Sequence, residues 1–274
     1  MSDFRVFASA PLQGIIALPP GESHHLVIVN RARTGDTIIA FDGHGTEWTC
    51  ELTDARKAGA TLRVTATHTR APLPCAITLA QALPKGGVMD DIIRHVTELG
   101  AARIVPLATE RTQVHLAADR SDKKIEKWRT AALEAAKQCG TPFLPEITGI
   151  QELEAFLAGD LVRATPLKLV ASLHPGARSL HAVCGDARRA AASSTSSDES
   201  PSSSSSTAGG GSASALALKS AIWLVGPEGD FSPAEMARIV AAGFQPVTLG
   251  PLVLRCDTAA TAAVAVLGHE LGGG

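Results

Sequence analysis

Residues 221–244 read AIWLVGPEGDFSPAEMARIVAAGF. A buried strand ends at Val225, a glycine-flanked loop follows, and a helix opens at Ser232. Ser232 suits an N-cap, Pro233 the first helical position, and Glu235 completes an S-x-x-E capping box. Gly243 stands where the helix should stop. Gly226 and Gly229 let the backbone come close to a ligand or take a positive φ. Loops that leave the carboxyl end of a parallel strand for a helix are where open α/β sheets bind ligands. This one lacks the Gly-Lys-Ser/Thr ending of a P-loop and the GxGxxG of a dinucleotide fingerprint. Taken alone it also has a plainer reading, a strand–helix connection with no ligand.

A second loop follows at once, VTLGPLVLRCDTAATAAVAVL over 247–267. A strand ends near Leu249, Gly250 turns the chain, and an irregular apolar stretch runs to Leu254. An alanine-rich helix comes next, with Asp257 or Thr258 as its expected cap. Leu249, Leu252 and Leu254, with free backbone groups between them, suit a flat adenine that needs apolar faces and a few edge hydrogen bonds. Arg255 is the basic residue of the loop. It serves either to hold the loop through a carbonyl or carboxylate, or to contact an RNA phosphate or the charge of a deprotonated uracil.

Working outward, CAITLAQAL, ARIVPLAT, LKLVASL, AIWLVG and QPVTLG read as buried strands. Helices are expected at 88–99, with Asp90 and Asp91 in the first turn, and at 123–139, with Ile125, Trp128, Ala132 and Ala135 on one side. This alternation predicts an α/β domain with a largely parallel sheet. Before it, LVIVN (26–30), TIIAFDG, EWTCEL and TLRVTATH read as short strands between turn signals, the pattern of a compact barrel. Two prolines in APLP (71–74) mark a boundary, giving domains 1–72 and 73–274. Residues 190–214 are dominated by Ser, Ala and Gly with no large apolar side chain, and read as a disordered insertion in the second domain.

The five cysteines are odd in number and lack CxxC spacing, which argues against both a disulfide framework and a zinc site. No metal is expected. No apolar run is long enough to span a bilayer and no secretory signal is evident, so the expectation is a cytoplasmic protein without membrane contact. A net charge of -2 weighs against a polyanion partner, leaving only a local patch: residues 120–129 hold five basic side chains against two acidic ones. Arg31 and Arg33 flank LVIVN and, alternating onto one strand face, could reach RNA phosphates. By the same logic the adjacent His24 and His25 would face opposite ways.

Four ordered blocks carry a resemblance over nearly the whole chain: ALPKGGVMDDIIRHVTELGAARIVPLATERT (82–112), EAAKQCGTPFLPEI (134–147), LVGPEGDFSPAE (224–235) and LGPLVLRCDTA (249–259). They resemble the 16S ribosomal RNA (uracil-N3)-methyltransferases of the SPOUT superfamily. The resemblance implies a PUA-like RNA-binding β-barrel followed by an α/β domain with a deep trefoil knot, and a homodimer. It implies S-adenosyl-L-methionine as cofactor and a uridine of 16S ribosomal RNA in the small subunit as substrate. Carried onto this chain, cofactor binding falls on Leu173, Gly226, Pro227, Glu228, Gly229, Leu249, Gly250, Leu252, Leu254 and Arg255. Arg255 and Arg111 become the catalytic candidates, and Arg31, Arg33 and Lys85 the RNA contacts. Glu98 and Glu110 join the two arginines as groups that could position substrate or handle its proton.

The chain departs from the family pattern in four places. Asp230 stands where the family loop GPEGGFS has glycine, and Cys256-Asp257 where it has Thr-Glu. Leu252 occupies a position that is commonly basic, and Gln138-Cys139-Gly140-Thr141 lacks an arginine. Two rival functions stay open: another SPOUT enzyme acting on transfer RNA or a ribose hydroxyl, and a non-catalytic RNA-binding assembly factor, which the net acidity and missing arginines favour.

Overall fold

The computed structural model describes residues 4–112, 118–172, 174, 176–193 and 218–272. Leu173 and most of the Ser-rich segment expected at 190–214 lie outside the described residues.

In chain order the first unit holds β1 (Phe4–Phe7), β2 (Ile15–Ala17), α1 (Pro20–His24), β3 (Thr37–Phe41), β4 (Thr46–Asp54) and β5 (Thr61–Thr69). Its sheet runs β1-β3-β4-β5-β2. Alternation in β4 turns Trp48, Cys50 and Leu52 onto a core shared with Val6, Ile16, Ile38 and Leu62. Register shifts at Thr49/Cys50 and Leu52/Asp54 are bulges, which bend and coil the β4–β5 ribbon around that core.

LVIVN is not a strand. Pro20, at the first helical position, starts α1, and a π-helical turn over His25–Val29 continues it. Asn30 N–H bonds His25 O at 2.9 Å and Ala32 N–H bonds Leu26 O at 3.1 Å, while only Leu26 is buried. Consecutive histidines therefore sit one helical step apart rather than across a strand. Arg31, at φ +58°, and Arg33 are exposed on the turn that follows.

The second unit continues with β6 (Ala76–Ala82), α2 (Val88–Glu98), β7 (Arg103–Ala108), α3 (Ala118–Cys139), β8 (Glu146–Ile147), β9 (Gln151–Glu152), α4 (Leu153–Leu157) and α5 (Asp160–Ala164). It ends with β10 (Leu167–Ala171), β11 (Arg178–Ser179), α6 (Leu180–Ser193), β12 (Ser220–Val225), α7 (Pro233–Ala241), β13 (Gln245–Thr248) and α8 (Cys256–Leu271). The sheet order is β11-β13-β10-β12-β6-β7-β8, with β9 beside β7, and every pairing is parallel. Both faces are covered, which is why β12 is buried from Ala221 to Val225 rather than alternating. One face packs on α2, α3, α6 and α8, through Ile92, Val96, Trp128, Cys184 and Val264 among others. The other packs on α4, α5 and α7, through Phe156, Val162 and Ile239.

The turn 142–144 docks into the hairpin turn 43–45 of the first unit. Leu144 N–H bonds Gly43 O at 2.9 Å and Gly45 N–H bonds Pro142 O at 3.2 Å. A side chain on Gly45 would meet the Phe143 ring at 2.7 Å, so glycine is required for that approach. Lys137 on α3 pairs with Glu22 on α1, both side chains largely buried. These contacts fix the first unit against α3.

Candidate active site

Strand order places the site. β13, β10 and β12 are neighbours, so the loops leaving their carboxyl ends lie side by side. The loops after β12 and β13 converge with Ala171 and Ser172, at the carboxyl end of β10, on one cavity of roughly 410 Å³. The Gly226 and Gly250 turns thus share a single slot at the carboxyl edge of a parallel sheet.

The loop after β12 is braced from three directions. The capping box forms: Ser232 Oγ accepts from Glu235 N–H at 3.2 Å, and Glu235 Oε2 accepts from Ser232 N–H at 2.8 Å. Glu235 is 1% exposed, and its other oxygen accepts from Glu110 N–H at 2.8 Å, tying the turn after β7 to the start of α7. From that turn Arg111 Nη1 donates to Gly229 O at 2.6 Å and to Phe231 O at 3.5 Å. On the third side Glu228 Oε1 accepts from Lys85 N–H at 2.9 Å, joining the loop to the β6–α2 connection. A side chain on Gly226 would meet Asp230 Oδ1 and the Phe231 ring at 3.3 Å. Asp230 itself sits at φ +59°, a conformation glycine adopts freely. That backbone explains the glycine of the family pattern at this position.

The loop after β13 is braced far less. Thr248 Oγ1 accepts from Gly250 N–H at 3.1 Å and donates to Gly250 O at 2.6 Å, closing the turn on itself. Beyond it 251–255 lie outside helix and strand, and Leu252, Val253 and Leu254 are 72%, 84% and 37% exposed. Helix α8 starts at Cys256 with Arg255 as N-cap and no side-chain cap bond. The cap expected from Asp257 or Thr258 does not form, because both already lie inside the first turn, where Asp257 Oδ1 accepts from Thr258 N–H at 2.9 Å.

Of the residues assigned to the cofactor from sequence, Gly226, Pro227, Glu228, Leu249, Leu252, Leu254 and Arg255 line the cavity. Gly229 and Gly250 belong to the same two loops without lining it. Val88, Asp230, Val253 and Ala259 also line it. The proximity of Asp230 was legible in the loop motif, whereas Val88 and Ala259 carried no signal beyond helical periodicity.

The remaining candidates are dispersed. Arg255 reaches the cavity with a 78% exposed side chain, its Nε 3.6 Å from Asp257 Oδ1. Arg111 is engaged with loop carbonyls, Glu110 pairs with Arg238 at 2.9 Å, and Glu98 is exposed at the end of α2. Lys85 is exposed beside the cavity, while Arg31 and Arg33 belong to the first unit. In the basic stretch of α3, Lys127 pairs with Asp90 and Arg129 with Glu126. Burial, then the nearby Glu228 and Asp257 charges, push the Cys256 thiol up, so it stays neutral on the cavity floor. Among the described residues no cluster of metal-ligating side chains occurs, and no helix is long and apolar enough to cross a membrane.

Comparison with known proteins adds the family to this geometry. Residues 71–268 match the sequence profile of an RNA methyltransferase domain, and residues 18–65 that of an RNA methyltransferase PUA domain. The ribosomal RNA small subunit methyltransferase E of Synechocystis is 32% identical, over 93% of this chain and 73% of the relative. The chain belongs to the ribosomal RNA small subunit methyltransferase E family. The Bacillus subtilis member is 28% identical over 91% of this chain and 88% of its own. Among solved structures, the methyltransferase E of Neisseria gonorrhoeae, bound to S-adenosyl methionine, is 28% identical with a TM-score of 0.76, covering 97% of this chain and 96% of that one. A Legionella pneumophila methyltransferase in complex with bound SAM is 27% identical with a TM-score of 0.80, covering 98% of both chains. The family fold, a PUA-like unit before a parallel-sheet methyltransferase domain, is the fold described above.

Proposed function

We propose that the chain methylates N3 of a uridine in the 16S ribosomal RNA of the small subunit, using S-adenosyl-L-methionine held in the cavity between the loops 226–231 and 249–255. The single observation that carries this is the convergence of those two loops on one slot. The residues present fit the cofactor. The volume lies within the roughly 300–1,000 Å³ range of small-molecule sites. Leu249, Leu252 and Leu254 offer apolar faces for an adenine ring, and 251–255 leave backbone groups for its edge.

The bound cofactor supplies a methyl group activated on a sulfonium sulfur. What the chain must add is alignment of the target nitrogen and stabilisation of charge on the uracil oxygens. Arg255 is suited to the second task, being a cation at the rim with a 78% exposed side chain, loosely paired with Asp257. Of the four groups set out for substrate handling it alone lines the cavity. Arg111 acts through the loop it holds. We assign Lys85, Arg31 and Arg33 to RNA contacts, with the docked first unit presenting the last two at a fixed position relative to α3.

Four further elements belong to the same reading. Residues 1–72 and 73–274 are separate folding units, and the two site loops form the trefoil knot. A second copy of the chain covers the exposed apolar residues 252 and 253, and the protein works in the cytoplasm.

In vitro methylation of assembled small subunits and of naked RNA, followed by nucleoside analysis, tests the reading. The expected product is 3-methyluridine, with Arg255→Ala about 100-fold slower or worse. A ribose-methylated product would assign the chain to another reaction of its superfamily. A folded chain that binds no S-adenosylmethionine would be a non-catalytic RNA binder.

A further inference from the structure

Among the described residues four ionisable side chains line the cavity: Glu228, Asp230, Arg255 and Cys256. The Cys256 thiol is kept neutral by its surroundings. That leaves two carboxylates against one guanidinium, and the guanidinium faces Asp257 as well. Asp230 therefore doubles the number of carboxylates on the wall itself. Its carboxylate is held in place, since Oδ1 accepts from Phe231 N–H at 2.7 Å and stands 3.3 Å from the point where a Gly226 side chain would begin. Loop geometry does not call for a carboxylate here. At φ +59° a glycine would serve the backbone better.

We infer that Asp230 makes the cavity discriminate by charge, favouring the cationic methyl donor over the demethylated product. The inference rests on the function proposed above. S-adenosylmethionine carries a sulfonium, an ammonium and a carboxylate, a net single positive charge. Transfer breaks the sulfur–methyl bond, leaves the electron pair on sulfur, joins the methyl to the uracil nitrogen and sends the nitrogen's proton to solvent. S-adenosylhomocysteine then holds a neutral thioether and no net charge. A fixed carboxylate on the wall attracts the charge that disappears, so its pull on the ligand drops when the reaction is done. Asp230 is exposed to solvent, which limits the effect to about threefold at physiological salt, rising towards tenfold at low ionic strength.

Calorimetric titration of S-adenosylmethionine and of S-adenosylhomocysteine into the wild-type chain, Asp230→Asn and Asp230→Gly tests this. Asparagine tolerates the same backbone conformation and can keep the Phe231 hydrogen bond while losing the charge. Thermal melts confirm that both variants fold. The expected result is donor affinity weakened about threefold in both variants, product affinity unchanged, and a difference that shrinks with added salt. Equal weakening of both ligands would overturn the inference, because the carboxylate would then be reading the ammonium that both share. So would no change in either. Failure of the wild-type chain to bind either ligand would remove the proposed function itself, and the charge rule with it.

Discussion

The two walls of the cavity are built on opposite plans. The wall after β12 is tied to the rest of the molecule by the buried Glu235, by Arg111 on two carbonyls and by Glu228 on the Lys85 amide. The wall after β13 closes one turn through Thr248 and then leaves Leu252 and Val253 mostly in solvent. An exposed apolar loop beside a rigid one is a binding site with one side already shaped. In the function proposed above the other side is completed by what it meets, the cofactor on its inner face and a second copy on its outer face. Removing a brace should therefore harm folding first, whereas trimming the second wall should leave the chain's own folding intact and harm binding, of cofactor or of the second copy.

Glu235→Ala gives the largest expected effect. It strands the part-buried Glu110 amide and the buried Ser232 amide, and should cost about 3 kcal/mol in denaturant unfolding. A loss below about 1 kcal/mol would show that the first wall does not depend on this carboxylate. Arg111→Ala comes next, with about 1–2 kcal/mol of stability lost and cofactor affinity down roughly tenfold. If turnover collapsed while affinity held, Arg111 would touch substrate rather than the loop. Leu252→Ser and Val253→Ser should leave stability within about 0.5 kcal/mol. They should weaken cofactor binding, and amide exchange over 251–255 should slow when cofactor is added. Unchanged exchange would mean that the second wall is already formed.

A separate prediction concerns thiols. Burial pushes Cys50, Cys75 and Cys184 up from an ordinary 9.0 to about 11. A thiol whose folded pKa is raised contributes stability that is complete below the unfolded value and is lost as pH rises through the folded one. Stability should thus decline between about pH 9 and pH 11, and unfolding midpoints across that range check it. At pH 8 the exposed Cys139 should alkylate first, with Cys256 slow and slower still when cofactor is bound. Protection of Cys256 absent from such an experiment would separate the cofactor from the second wall.

The difference between the walls also explains what the sequence could reveal. Ser232, Pro233, Glu235 and Gly243 define α7 through contacts a few residues apart, and the capping box forms as those residue types dictate. The buried runs of β6, β10 and β12 were legible because a parallel sheet covered on both faces demands continuous apolar strands. The braces were not legible. Arg111 meets Gly229 across 118 residues, Glu235 meets Glu110 across 125, and Lys85 meets Glu228 across 143, distances no spacing rule spans. LVIVN misled for the opposite reason. Its β-branched alternation is a local signal, overridden by the proline start of α1 and the burial of Leu26 alone. The first two strands, four and three residues long, were too short to register as a pattern.

The central claim is that both walls enclose one ligand, and filling the slot tests it most directly. Ala259, on α8, lines the cavity, so Ala259→Phe should occupy it from the floor. Calorimetry should show one S-adenosylmethionine bound per wild-type chain and none to the variant, with the variant's melt still cooperative. Binding of equal strength to both would place the cofactor elsewhere and contradict the account.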